Sequence, residues 1–324
     1  MNHNSLVSIV IPIKNEKRKI STIIMGIYKQ RYRPIEVIFV DGGSTDGSIE
    51  LINEYRIKLS SNEFMIRLLK EEDYGPLRSP ANARNIGIKN ASGDYIILLD
   101  ADFELVDENI ITKIVENLRN NDHVAVTYEP NKHTWIEKHY SLDEIVSLNC
   151  KKPVHILCCF KKDVFRKALF DINLGFHEDV DFLQRVGTKY VVIDANVRRC
   201  WVHTLKDFAR QRIWYGRTAH RYFRKIGMSW VRILFMYSRW NAVNLLLILL
   251  IIISFINIPL VIPIILLLFS LITYRWLRRD LKCLGLRAIP ERLAWYLFKE
   301  TIGKIFFDIG VIIGLMSKNV RLGR

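Results

Sequence analysis

The segment Tyr95-Ile96-Ile97-Leu98-Leu99-Asp100-Ala101-Asp102 decides how the first two thirds of the chain are read. An unbroken apolar run ends in two carboxylates one residue apart. A run of that kind fits a strand buried on both faces, as in a parallel sheet covered by helices. In open α/β sheets ligands bind beyond the carboxyl ends of the strands, so Asp100 and Asp102 fall where a ligand would sit. Two carboxylates there repel each other unless a cation joins them. Mg²⁺ and Mn²⁺ are commonly held by one or two carboxylates together with substrate phosphates. D-x-D pairs also recur by chance in solvated loops, so the setting of this one matters.

Working outward, apolar runs at residues 6–11 and 35–40 likewise end in polar clusters, Lys14-Asn15-Glu16 and Asp41-Gly42-Gly43-Ser44-Thr45-Asp46. Further strands are expected at 65–69 and 124–128, with helices near 18–30, 46–59, 80–90 and 108–120. This alternation specifies an α/β domain with a mostly parallel sheet. The three clusters should then meet at one crevice. Gly42 and Gly43 let the backbone approach a ligand, although a tight turn without any ligand has the same signature. Asn82, Arg84 and Asn85 open the helix at 80–90, and a guanidinium fork suits a diphosphate; a plain surface arginine is the alternative. From 135 to 203 the pattern is less regular, with strands expected at 155–160 and 190–194 and a short helix at 179–186.

Charge divides the chain. Residues 1–200 carry 28 Lys+Arg against 28 Asp+Glu, whereas residues 201–324 carry 20 against 5, so the whole formal excess of +15 lies in the last third. A nucleic-acid binder needs basic residues over a folded soluble face. Here they flank long apolar runs, the pattern of a cytoplasmic membrane face. No nucleic-acid partner is expected. Cys150, Cys158, Cys159, Cys200 and Cys283 have no zinc-ligand spacing and fit reduced thiols. No charged leader with an apolar stretch precedes the first strand, so the first domain is expected in the cytosol.

Residues 206–240 are basic, helical in period and rich in aromatics such as Trp214, Tyr222 and Trp230, which suits amphipathic helices in a membrane interface; a helix covering the core is the alternative. Residues 242–274 are almost purely apolar and break only at Asn257-Ile258-Pro259. One helix over that stretch would be about 50 Å long against a hydrocarbon core of about 30 Å, so a helical hairpin over about 240–276 is expected. The basic loop after it, with Arg275, Arg278 and Arg279, belongs in the cytoplasm. The last apolar segment, about 293–316, contains Lys299, Glu300, Lys304 and Asp308. An interfacial helix is favoured there over a third membrane helix.

Five stretches together carry a resemblance: SIVIPIKNE at 8–16, FVDGGSTDGS at 39–48, ARNIG at 83–87, ASGDYIILLDADFE at 91–104 and HEDVDFLQR at 177–185. In this order and spacing the chain resembles family 2 glycosyltransferases of the GT-A fold over roughly residues 5–205. The resemblance implies an inverting transfer from a UDP-, GDP- or dTDP-sugar with a divalent metal, Mn²⁺ or Mg²⁺. It implies that Pro12 and Glu16 line the nucleoside pocket, Asp41 meets the base and Arg84 approaches the diphosphate. Asp102 would be the principal metal ligand and Asp100 would contact ribose or metal. Glu178-Asp179 resembles the family's ED motif, whose aspartate takes the proton from the acceptor hydroxyl. His203 lies where some relatives place a further metal ligand, and a structural histidine is the alternative. Gln184-Arg185-Val186 lacks the tryptophan of the Q-x-x-R-W signature, so a processive synthase is not expected.

The expectation is a GT-A domain over 1–205, a Rossmann-like α/β fold with a mostly parallel sheet. Basic amphipathic interfacial helices follow at 206–240 and a helical membrane module at 241–324, in a multi-pass protein of the cell membrane with a cytoplasmic catalytic domain. Its partners would be a nucleotide-sugar donor, membrane lipids and a lipid-linked or membrane-associated acceptor hydroxyl. A polyprenyl phosphate acceptor and a non-catalytic nucleotide-binding scaffold are the alternatives.

Overall fold

The computed structural model describes residues 5–76, 79–127, 134–149, 158–195, 197–199, 204–233 and 289–316. The chain divides into two units, Met1–His203 and Thr204–Val320.

In the first unit, β1 (Val7–Ile13), β2 (Ile35–Asp41), β3 (Phe64–Lys70) and β4 (Tyr95–Leu98) are parallel. Together with β6 (His123–Val126), β7 (Cys158–Lys161) and β8 (Tyr190–Ile193) they form one sheet in the order β3-β2-β1-β4-β7-β6-β8. β7 runs antiparallel to both neighbours, so the sheet is mostly but not wholly parallel. β5 (Phe103–Leu105) and β9 (Val197–Arg199) form a small antiparallel pair that the sequence reading did not anticipate.

The strand sequences explain the two-sided core. Successive side chains point to opposite faces. Val7, Ile9 and Ile11 enter one buried cluster, while Val10, Ile38 and Leu98 enter the other. α1 (Lys17–Tyr28) and α4 (Ile110–Asn120) cover the first face with residues spaced three and four apart, Ile20, Ile23, Ile24 and Ile27 on one and Ile110, Ile114 and Leu118 on the other. α2 (Ser48–Leu59) adds Ile52 to that face. α3 (Pro80–Asn90) covers the second, and Gly87 sets how closely it lies: a Cβ there would stand 2.2 Å from Val10 Cγ1. α5 (Trp135–Asn149), unforeseen in the irregular stretch, α6 (Val164–Lys167) and α7 (Glu178–Val186) complete the described helices of this unit.

Register aligns the carboxyl ends of the strands. Ile13 pairs with Asp41, Asp41 with Lys70 and Val10 with Leu98. At the opposite end, the buried carboxylate of Glu36 accepts hydrogen bonds from Ser8 Oγ (2.6 Å), Arg67 Nη1 (2.7 Å) and Ser92 N (2.9 Å) and ties β1, β2, β3 and the turn before β4 together.

The second unit contains α8 (Leu205–Lys225) and α9 (Ile289–Met316). Thr204 and Asp207 form a capping box at the start of α8. The two helices run parallel at backbone distance. Cβ atoms built on Gly310 and Gly314 would lie 2.1 Å from Ile213 O and Arg217 O, and one on Gly216 2.0 Å from Phe307 O. Trp214 and Tyr222 of α8 are buried, whereas Trp230, just beyond it, is exposed. Among the described residues no helix is long and apolar enough to cross a membrane, and α9, with Lys299, Glu300, Lys304 and Asp308 along it, does not meet that description either. The expected hairpin at 240–276 lies outside the described residues.

Candidate active site

The aligned strand ends open into a cleft holding about 770 Å³ of empty space, open solvent included. Pro12, Lys14 and Glu16 come from the end of β1 and the loop after it, Lys19 from α1, Gly42 from the end of β2, and Ser79, Pro80, Ala83 and Arg84 from the start of α3. Asp100, Ala101 and Asp102 follow β4.

The first two loops are sewn to each other. Asn15 N donates to Ser44 Oγ (2.8 Å), and Thr45 N donates back to Asn15 Oδ1 (2.8 Å). Glu16 N reaches Ser48 Oγ and Lys17 N reaches Asp46 Oδ2, both at 3.0 Å. Asn15 takes φ 56° to do this, a left-handed conformation that asparagine tolerates better than most residues. One wall of the cleft is thereby fixed without secondary structure. Glu16 is drawn toward Lys19 (2.9 Å).

Asp41 is almost fully buried, and its carboxylate accepts from Gly43 N (2.9 Å) and Ser44 N (3.1 Å), closing the turn on which Gly42 meets the cleft. The residue expected to meet the base therefore also shapes the turn. Beneath Gly42 lies Glu71, which accepts from Ser79 N (3.2 Å) and Asn82 Nδ2 (2.9 Å) and so pins the start of α3. A Cβ on Gly42 would come within 3.1 Å of Glu71 Oε2.

Arg84 is the most constrained member. It is 5% exposed, its Nη2 donates to Asp100 Oδ1 (2.8 Å) and its Nη1 to Glu178 Oε1 (3.2 Å), and its guanidinium lies 5.6 Å from the centre of the Phe170 ring. Burial works against its charge, but Asp100 and Glu178 more than offset this and hold it protonated. A guanidinium bonded to two carboxylates is a brace between the turn after β4 and the first residue of α7. The same guanidinium lines the cleft. Lys14 and Lys19 line the same cleft.

Glu178 is pushed up to about 7 by burial and then by the negative charge of Asp179, with Arg84 pulling the other way. Asp179 Oδ1 accepts from Val180 N (2.7 Å), and its charge is felt by both Arg84 and Glu178. His177, just before them, has φ 58° and stacks on Phe176 with ring centres 3.8 Å apart. A histidine in that region carries strain of the kind that collects at functional sites.

Of the residues anticipated, Pro12, Glu16, Arg84, Asp100 and Asp102 line one cleft, and Arg84 joins Glu178 to them. Asp41 sits beside the cleft under Gly42, and Asp179 follows Glu178 on α7. His203 lies outside the described residues. Glu71 and Lys19 were missed, although Glu71 follows the end of β3 directly, and the rule that found Asp41 and Asp100 would have found it too.

Among the described residues no three His, Cys, Asp or Glu side chains gather as a ready metal-ligand set. The donors nonetheless fit a hard cation: Asp100 and Asp102 offer carboxylate oxygens at one cleft, and Mg²⁺ or Mn²⁺ takes the rest of its shell from substrate phosphates and water.

Comparison with known proteins agrees with this geometry. The family described as Glycosyl transferase family 2 matches residues 8–172, just over half of the chain. The glycosyltransferase GlyG of Streptococcus pneumoniae is 34% identical over 119 residues, covering 37% of each chain. The poly-beta-1,6-N-acetyl-D-glucosamine synthase of Staphylococcus aureus is 26% identical over 234 residues, 66% of this chain and 54% of the synthase. The chain thus spans about half or less of these relatives. Among solved structures, the mannosyltransferase PcManGT of Pyrobaculum calidifontis, in complex with GDP-Man and Mn²⁺, is similar with a TM-score of 0.59 at 16% identity, over 98% of this chain and 89% of that one. The glucosyl-3-phosphoglycerate synthase of Mycobacterium tuberculosis, with Mn²⁺, UDP and glucosyl-3-phosphoglycerate, gives 0.51 at 19% identity, over 70% and 81%. These last two likenesses concern the fold.

Proposed function

Since the chain belongs to glycosyl transferase family 2, we propose that this glycosyltransferase moves a sugar from a nucleotide diphosphate donor, held in the strand-end cleft, to a hydroxyl of a lipid-linked or membrane-associated glycan. The observation that carries the reading is the meeting of Pro12, Glu16, Asp100 and Asp102 at one cleft, with Arg84 bonded to both Asp100 and Glu178.

The donor's nucleoside end lies against Pro12, Glu16 and the Asp41 turn. Its phosphates face Lys14 and Lys19. Asp102, with Asp100, would hold Mn²⁺ or Mg²⁺, which when bound neutralises charge on the departing nucleoside diphosphate. Asp179 takes the proton of the incoming hydroxyl, and attack from the side opposite the leaving group inverts the anomeric carbon. Arg84 keeps Glu178 and Asp100 fixed relative to each other, so that base and donor are presented in one geometry. A membrane setting is supported by the apolar sequence at 242–274 and the basic excess of the last third. There a lipid-linked acceptor meets a tethered active site at raised local concentration. In this reading the catalytic domain faces the cytoplasm.

The test incubates membranes containing the protein with UDP-, GDP- and dTDP-sugars and Mn²⁺ or Mg²⁺, following nucleoside diphosphate release and labelled lipid together. One donor should turn over, and Asp179→Asn should stop transfer to glycan. If Asp179→Asn still glycosylated a polyprenyl phosphate, which is already ionised and needs no base, the acceptor would belong to that class instead.

A further inference from the structure

Asn85 follows Arg84 on α3 and is 8% exposed. Its carboxamide pairs with the backbone of Phe170 in both directions: Asn85 Nδ2 donates to Phe170 O (2.8 Å), and Phe170 N donates to Asn85 Oδ1 (2.9 Å). A neighbouring strand would make the same exchange, but residues 168–177, between α6 and α7, belong to no helix or strand. Phe170 is itself buried, so both of its backbone groups need a partner away from water, and one side chain of α3 supplies both. The loop is thereby fixed to α3 at one residue.

Phe170 carries that position to α7. Its ring stacks on Phe182 with centres 4.3 Å apart and planes 18° apart. Phe182 in turn stacks on Phe165 (5.6 Å, 15°) and meets Phe160 of β7 edge-on (5.6 Å, 86°). Rings so arranged hold one another's orientation. Glu178 and Phe182 are four residues apart and so share one face of α7. Adjacent residues of α3 therefore hold that face at two heights. Arg84 takes Glu178 directly (3.2 Å), and Asn85 takes Phe182 through Phe170. A single attachment would leave a nine-residue helix free to pivot about it, whereas two attachments a turn apart fix its direction. A third stands at the far end, where Arg185 Nη2 donates to Leu169 O (2.6 Å) beside the same clamp and pairs with Asp181 on its own helix (2.8 Å).

Core packing alone does not call for an amide at position 85. A buried amide costs free energy unless its hydrogen-bonding groups are paired, and an aliphatic residue there would fill space without that cost. The amide is spent on the loop that leads into Glu178 and Asp179, and it stands next to the arginine that lines the cleft.

We infer that Asn85 and Phe170 are positioning residues of the transfer reaction. Together they set the direction of α7, and so the distance from Asp179 to a donor in the cleft that α3 lines, a role that rests on the proposed function of Asp179 as base.

The test compares full-length wild type with Asn85→Ala, Phe170→Leu and Arg185→Met in two measurements. Hydrogen–deuterium exchange of the detergent-solubilised protein needs no sugar donor. Asn85→Ala and Phe170→Leu should speed exchange about ten-fold or more in peptides covering 178–186, with β1 and β2 unchanged. Initial rates are then read with Mn²⁺ and whichever of the UDP-, GDP- and dTDP-sugars wild type turns over, with kcat expressed per nucleotide-binding site so that an unfolded fraction does not enter. Both variants should lower kcat about ten-fold or more and leave the donor KM within about two-fold, because the donor's own contacts are intact. Arg185→Met, at a side chain 35% exposed and so of little consequence for folding, should move kcat the same way by about three-fold. Should Asn85→Ala fail to fold, Phe170→Leu and Arg185→Met decide the matter. A kcat per site within about two-fold of wild type in every folded variant, or exchange of α7 unchanged in them, would overturn the inference. If wild type moves sugar from none of the three donors, the glycosyltransferase reading fails by itself, and exchange at α7 then decides whether Asn85 and Phe170 hold that helix.

Discussion

Replacing Arg84 by methionine removes a guanidinium that joins Asp100 to Glu178 and keeps much of its bulk. Removing one partner of a buried ion pair costs about 3–5 kcal/mol, because a charge is left in a poor solvent. The side chains of Asp100 and Glu178 are 24% and 11% exposed, so Asp100 can recover some water, and the cost falls near the lower end of that range. Loss of the cation over the Phe170 ring adds about 0.5–1 kcal/mol. At about 2–4 °C per kcal/mol for a unit of this size, Arg84→Met should lower the Tm by roughly 7–16 °C. Differential scanning fluorimetry of the purified full chain reads this directly. Arg84→Lys, which keeps the charge but cannot span both carboxylates, should fall between the two. Glu178→Gln removes one of the stranded charges, so the double variant should be more stable than the sum of the single losses requires, by at least about 1 kcal/mol. A Tm for Arg84→Met within about 1 °C of wild type, or strict additivity with Glu178→Gln, would refute the brace.

Glu178→Gln alone tests the sign of its titration. The folded protein holds the Glu178 proton more tightly than the unfolded chain does, so this group's contribution is complete below the ordinary glutamate range and lost as pH rises toward about 7. Wild type should therefore lose stability against Glu178→Gln between pH 5 and pH 8 in matched thermal melts. Glu36 has the opposite sign: burial would raise it, but hydrogen bonds from Ser8, Ser92 and Arg67 outweigh burial and lower it. Glu36→Gln should cost roughly 2–3 kcal/mol at neutral pH by urea denaturation, and the gap to wild type should close as pH falls below the ordinary value of 4.5. Gly87→Ala should cost about 1–3 kcal/mol by overpacking against Val10, and Val10→Ala in the same chain should return part of that loss.

The sheet was legible because its strands are buried on both faces and their sequences say so: 35–41 and 95–98 are almost unbroken apolar runs. β7 and β9 were harder, since a four-residue and a three-residue strand carry no period of their own and take their direction from neighbours. α5 was missed because its apolar residues form no stripe along the helix. In the site, Asp100, Asp102 and Glu16 could be placed from their positions at strand ends. The pairing of Arg84 with Glu178 joins residues 94 apart in sequence and could not be read from either motif. The same limit applies to α8, where Trp214 and Tyr222 gave the composition of an interface helix. The close approach of α9 likewise rests on residues far apart in sequence, Gly216 on one helix and Gly310 and Gly314 about a hundred residues later.

The proposed function requires that Asp102 and its neighbours at the strand ends hold a divalent cation together with a nucleoside diphosphate. Titration calorimetry of UDP, GDP and dTDP into the detergent-solubilised full chain, with and without Mn²⁺, tests it for wild type and Asp102→Asn. One nucleotide should bind wild type in a Mn²⁺-dependent manner, with affinity at least ten-fold weaker in Asp102→Asn. Equal binding to the two proteins, or binding indifferent to the metal, would contradict the account.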